Sequence, residues 1–270
     1  MTERQKVLIL GSMSTATLTC FGWIVVCPHR AECLRAVTSV DTWVSQGTGV
    51  AIALAAVTFV AWLLCLSWLL SRAALYVRRL PTTPGLPRAL IDAMARTGVQ
   101  RVTCLAGEVP TAFCAGALRP QILVSESVVR NVGGEELDAI LLHEQDHLRR
   151  FEPLVRTAYD AAAHVLFYIP LLRWWSQRRI EDAELRADRA ALNRLGRRPV
   201  AAALWALGGS SSIQGTAAFG GVAELRVAQV LGDPLLRRAP EWSLLSISAM
   251  GTFLAFQAAS CLVQGAQHLV

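Results

Sequence analysis

His143 and His147 stand four residues apart, with Glu144 directly after the first, in the run His143-Glu144-Gln145-Asp146-His147. On an α-helix residues i and i+4 share a face, so both imidazoles can reach one ion. A glutamate one position past the first ligand lies near the water that such an ion would hold, and can accept its proton. The chemistry predicted from this spacing is zinc-dependent hydrolysis of a peptide bond. His143 and His147 would be ligands, Glu144 the general base, and one Zn²⁺ would bind per chain. The plainer alternative is a helix whose histidines happen to flank polar residues, and the pattern alone does not exclude it.

A catalytic zinc site takes three protein ligands and leaves a fourth position for water. The run Ile180 to Leu192 (IEDAELRADRAAL) offers the third. Glu184 and Asp188 are spaced i, i+4 and share a helical face, so Glu184 can be the ligand while Asp188 accepts a hydrogen bond from a ligating histidine. Glu181 and Asp182 compete for the ligand role, but neither has an aspartate four residues on. A solvated acid-and-arginine face is the alternative reading of this stretch. His164, four residues after Asp160, is a candidate for stabilising the oxyanion, although such a pair is more often a packing contact. The apolar run Ile122-Leu123-Val124 is a candidate strand for aligning a substrate by strand addition.

These groups need a helix, a second helix and a small sheet to bring them together. The helix is predicted over Asn131 to Arg150: Gly133-Gly134 open it, Glu135 and Glu136 lie in its first turn, and Arg149 and Arg150 in its last. Ala89 to Gly98 reads as a short helix. Arg101 to Ala106 and Ala112 to Ser125 read as strands broken at Gly116 and at Arg119-Pro120. The segment 157–172 is apolar but only about 16 residues long, short for a span. A crossing there would put His147 and Glu184 on opposite sides of a membrane, so a buried or membrane-dipping helix is expected.

The rest of the chain is built for lipid. Of 270 residues, 53% are hydrophobic and 17% charged, against about 25% charged in soluble domains. Disordered, collagenous and nucleic-acid-tail classes are excluded, since those chains are polar, repetitive or densely charged. The net charge of +6 comes almost wholly from arginine, Lys6 being the only lysine, and suits membrane flanks better than a nucleic-acid surface. Seven cysteines, at 20, 27, 33, 65, 104, 114 and 261, form no C-x-x-C pair. That excludes a cysteine zinc site; only Cys27 and Cys33 are close enough in one segment to suggest a bridge.

Three uncharged runs can cross a bilayer, at about 7–27, 49–71 and 243–263. Twenty-one helical residues span roughly 31 Å, the thickness of the hydrocarbon core. The first run is too long for a signal-peptide core and reads as a retained anchor. Arg30 and Arg35 are balanced by Glu32 and Asp41 in the loop 28–48. By contrast, Arg72, Arg78, Arg79, Arg88, Arg96 and Arg101 follow the second run. The positive-inside rule then puts the N-terminus and residues 72–242 in the cytoplasm, with 28–48 and the C-terminus outside. The expected fold is an α-helical plasma-membrane protein with a small α+β, gluzincin-like peptidase domain. Residues 1–71 form a transmembrane hairpin, 72–242 the peptidase domain, and 243–270 a last span with a short tail.

Over roughly residues 72–200 the sequence resembles the membrane-anchored metallopeptidases of the BlaR/MecR antirepressor type, relatives of the HtpX and CAAX prenyl protease group. The resemblance rests on AFCAGALRPQILVS, LDAILLHEQDHLRR and HVLFYIPLLRWWSQRRIEDAELRAD, with Pro170, Trp174, Trp175, Glu184 and Asp188 at matching places. Ala187 departs from it: the BlaR type tends to have cysteine there, and the HtpX group alanine. The resemblance implies regulatory cleavage of a cytosolic winged-helix repressor in an antibiotic or stress response. The alternatives are an HtpX-like quality-control peptidase and a non-catalytic membrane scaffold. Partners would be a protein or peptide substrate and the lipid bilayer, without direct nucleic-acid binding. Penicillin sensors use S-x-x-K, and Glu3 stands three residues before the sole lysine. No covalent β-lactam binding and no sensor domain are expected.

Overall fold

A computed structural model describes residues 40–208, 218–235 and 239–267. The run 7–27 and the Cys27–Cys33 pair lie outside the described residues. The chain sorts into two compact units. Of the described residues, one comprises 66–159, 176–208 and 218–235; the other takes 40–65, Asp160–Trp175 and 239–267.

The apolar unit holds most of helix α1 (Val40–Arg79) and, near the end of the chain, α9 (Trp242–Gln267). Within them Gly49–Arg79 and Trp242–Cys261 are long and apolar enough to cross a membrane, and both are scarcely buried against the rest of the chain. At 1.5 Å per residue the shorter of the two covers about 30 Å. The segment 157–172 is not one helix. Helix α5 (Glu152–Val165) stops, and α6 (Pro170–Leu195) starts at a proline, which has no N–H to donate and fixes its own φ for a first turn. The start of α6 packs with α9. The Leu171 N–H donates to Ser248 Oγ at 3.0 Å. One turn along α9, the hydrogen side of Gly251 lies directly against the Tyr168 carbonyl. The stretch 160–175 therefore groups with the last apolar helix, not with the residues on either side of it in sequence.

The larger unit is built on a three-stranded sheet of β1 (Val102–Leu105), β2 (Ala112–Ala115) and β3 (Gln121–Ser125), in the order β1-β3-β2. β3 runs parallel to β1 and antiparallel to β2, with Thr103 and Phe113 both opposite Leu123. The β2–β3 turn needs glycine at Gly116, where φ is +99° and a Cβ would sit 2.7 Å from the Arg119 carbonyl oxygen. The proline-rich stretch before the sheet is stitched to the outer side of β1: Thr83 N–H donates to Cys104 and Ala106 N–H to Pro81, each at 3.0 Å. Val77 and Leu80, at the end of α1 and just past it, pack with Phe113, Ala115, Leu105 and Leu123 on one face of the sheet.

The other face carries the main core. Helix α2 (Arg88–Thr97) buries Leu90 and Ala93 there and ends on the left-handed Gly98, whose N–H returns to Met94. A short α3 (Glu126–Asn131) is capped by Ser125, and α4 (Gly134–Arg149) follows. The predicted Asn131–Arg150 helix is thus shorter at its start: Val132 and Gly133 are extended and separate two helices. Leu137, Ile140 and Leu141 of α4 meet Ile122, Val124 and Val128 in one buried cluster. Arg96 of α2 clamps Asp138 of α4 through Nε and Nη2, both at 2.8 Å. Helices α7 (Arg197–Gly208) and α8 (Ala218–Leu231) complete the unit, adding Val200, Ala203 and Val230 to the cluster.

Candidate metal centre

Helix α4 packs one face into the core, and the polar residues on that face are buried with it. His143, Glu144 and His147 are each less than 10% exposed. The two imidazoles present Nε2 to one another at 3.1 Å, their rings edge to face. Glu184 of α6 reaches the same point, its carboxylate oxygens 3.3 Å from His143 Nε2 and 3.5 Å from His147 Nε2. One ligand atom from each of the three lies within 4.8 Å of the others, so the group could hold a metal ion.

One further observation fits an ion at that point. Two Nε2 atoms directed at each other need a proton or a cation between them, and a metal ion can take the place of the proton. Two imidazoles and one carboxylate form a donor set that zinc accepts, with a coordination position left open.

The surrounding charges are unequal. Burial works against a charge on His143, but hydrogen bonds to Asp188 and Glu184 outweigh it and push its pKa up to about 10. Burial, with the charged His143 beside it, drops His147 to about 4, which leaves that ring neutral. Burial opposes the Glu184 charge as well, yet His143, Arg226 and His147 hold its carboxyl well below the usual range. The Glu144 carboxyl is pushed up to about 7, chiefly by burial and also by Glu184, while a backbone N–H from Cys114 of β2 supports its charged form. The Cys114 thiol itself is raised to about 12 by burial, with Glu144 adding to the effect.

Asp188 is 1% exposed and accepts the His143 Nδ1–H at 2.8 Å, which fixes the ring with Nε2 turned toward His147 and Glu184. Its other contacts come from a residue the sequence reading missed. Arg226 of α8 donates to Asp188 through Nε at 2.7 Å and Nη2 at 2.8 Å, and its Nη1 lies 3.1 Å from Glu184. The available signal was an arginine on an otherwise apolar helix, in which Glu224 is the only other charge.

The remaining candidates divide. Glu181 is paired with Arg178 at 3.2 Å, and neither it nor Asp182 belongs to the metal-binding group. Asp146, inside the motif, instead ties α4 to α6 through Arg186 at 3.3 Å, and Arg186 also reaches Glu152 of α5 at 3.2 Å. His164 is exposed, and its ring Nδ1 pairs with the Asp160 carbonyl one turn back at 2.7 Å, a local contact that lends no support to an oxyanion role. The substrate-aligning strand needs correction. Ile122, Leu123 and Val124 form the centre of the sheet, bonded to β1 on one side and β2 on the other, and all three are buried. Among the described residues the edge beside Glu144 is that of β2, the outer strand.

A helix-borne histidine pair with an intervening glutamate, facing a glutamate from a second helix beside a small sheet, defines a metallopeptidase-type site. Residues 18–214 match the model of the BlaR1 peptidase M56 family, which is more than half of the chain, and the chain belongs to that family. A search among curated proteins gave no match.

Proposed function

We propose that the chain is an integral-membrane zinc endopeptidase whose active centre is His143, His147, Glu184 and Glu144. The observation that carries this reading is the convergence of three ligand atoms within 4.8 Å beside a buried carboxyl raised to about 7. A zinc ion held by His143, His147 and Glu184 would polarise the scissile carbonyl and acidify a water at its open position. Glu144 would accept a proton from such a water and pass it to the leaving amine, a role that a buried carboxyl raised to about 7 suits. Asp188 holds the His143 ring so that Nε2 is turned toward His147 and Glu184, where the metal would be bound.

The substrate aligns as an added strand on β2. Thr111 accepts the Ser125 N–H at 2.8 Å, so by antiparallel alternation Ala112 directs its N–H and C=O away from β3, on the same edge as Cys114. The arginines after the second apolar run support a cytoplasmic peptidase unit, and the family supports a cytosolic repressor as substrate, cleaved in an antibiotic or stress response. The test is zinc content and peptidase activity of the full chain in detergent. Glu144→Gln should keep about one zinc per chain and lose about 10²–10⁴-fold in turnover. Near-normal turnover would rule the mechanism out.

A further inference from the structure

Glu184 and Asp188 sit one turn apart on α6 and both face His143, one on each ring nitrogen. Two anions so placed repel each other, and in a buried site that repulsion is little screened. Nothing on α6 itself opposes it at that point. The opposing charge arrives from α8: the Arg226 fork grips both oxygens of Asp188 and extends its third nitrogen to Glu184. A planar guanidinium can hold two carboxylates at a fixed separation in this way, and a lysine ammonium cannot. The same helix is fastened independently one turn on. Gln229 Nε2 donates to the Leu185 carbonyl at 2.8 Å, Val230 enters the core, and Arg197 donates to the Leu231 carbonyl at 3.2 Å. Arg226 also lies beyond residues 18–214, the part that matches the family.

We propose that Arg226 is a positioning residue for the metal centre: by bridging Asp188 and Glu184 it locks the His143 ring and the Glu184 carboxylate in their ligating orientation. The zinc site is then assembled by three helices, and its affinity depends on the seating of α8. This rests on the zinc reading above.

The test measures zinc affinity of the full chain in detergent by chelator competition, with the visible spectrum of the cobalt-substituted protein as second readout. Wild type, Arg226→Gln, Arg226→Lys, Asp188→Asn and the Arg226→Gln/Asp188→Asn double variant are compared. Arg226→Gln should bind zinc about 10–100-fold more weakly and shift the cobalt bands, as losses of groups that orient a ligand do. Because Arg226 acts partly through Asp188 and partly on Glu184 directly, the loss in the double variant should fall short of the product of the two single losses. Arg226→Lys, which keeps the charge and most of the packing, should still lose affinity; it decides the matter should the glutamine variant not fold. Wild-type affinity and spectrum in either Arg226 variant, or losses that multiply in the double variant, would overturn the proposal. A wild-type chain that takes up no zinc would instead overturn the reading beneath it, and the proposal with it.

Discussion

His143 donates its Nδ1–H to Asp188 at 2.8 Å while its Nε2 lies 3.1 Å from His147 Nε2, so one ring is fixed from behind and directed at its partner in front. The orientation of the second ring depends on the first, and the consequences are measurable.

Without metal, His143 carries a proton on each nitrogen at neutral pH, because its pKa lies near 10, while His147, at about 4, is neutral and can keep its single proton when zinc binds. Zinc binding at Nε2 must expel the His143 proton. Uptake at pH 7 should therefore release one proton from His143 and up to about half a proton more from Glu144, and affinity should rise with pH toward about 10 and fall as the solution is acidified. Titration calorimetry in buffers of different ionisation enthalpy reads the proton count; zero release would contradict the assignment.

Glu184, Asp188 and Glu181 should differ in metal retention. Glu184→Ala removes a ligand, and zinc should be lost. Asp188→Ala leaves the ligands but frees the ring, costing about 10–100-fold, which excess zinc partly restores. Glu181→Ala should keep its zinc, since Glu181 is engaged with Arg178. Metal analysis of the three purified variants, side by side, checks all three; a fully loaded Glu184→Ala would defeat the ligand set.

At the open edge of the sheet, Ala112→Pro removes an N–H that β3 does not use, a place where an edge strand tolerates proline. Zinc content should be unchanged. Peptide cleavage should lose up to about tenfold in kcat/KM, the worth of one hydrogen bond to substrate. Unchanged kcat/KM would place the substrate elsewhere.

In the apolar unit, Gly251→Ala would drive a Cβ into the Tyr168 carbonyl oxygen, so backbone must move. A loss of about 1–3 kcal/mol is expected, as for other overpacked sites. Ser248→Ala, which gives up the Leu171 N–H, should cost about 1 kcal/mol. Thermal midpoints in detergent report both, and a Gly251→Ala midpoint equal to wild type would mean that this contact does not hold.

A reporter fused after Arg101 should be cytoplasmic, given the arginines that follow the second apolar run. An external signal there would carry the peptidase unit across the membrane.

What the sequence disclosed and what it hid follow one rule of distance. His143 with His147, and Glu184 with Asp188, are i, i+4 pairs, so helical geometry alone puts each on one face, and each pair does lie on a helix. Arg226 lies 38 residues past Asp188, and no local period links them. The Ile122–Val124 run was read as a strand available to substrate because it is apolar and extended. Its apolarity marks the centre of the sheet, and the edge went to the less striking Ala112–Ala115. The overlong helix at Asn131 has a similar cause: α3 and α4 are both helical by pattern, and the break between them occupies only Val132 and Gly133.

Cys114 lends the site a chemical inertness that its position would not suggest. A sulfur on the residue whose backbone N–H bonds the general base could be alkylated or oxidised. Both reactions require the thiolate. With its pKa raised to about 12, Cys114 exposes only about one thiolate in 10⁵ at pH 7. The centre should therefore keep its activity in the presence of electrophiles and mild oxidants that silence a cysteine-bearing peptidase.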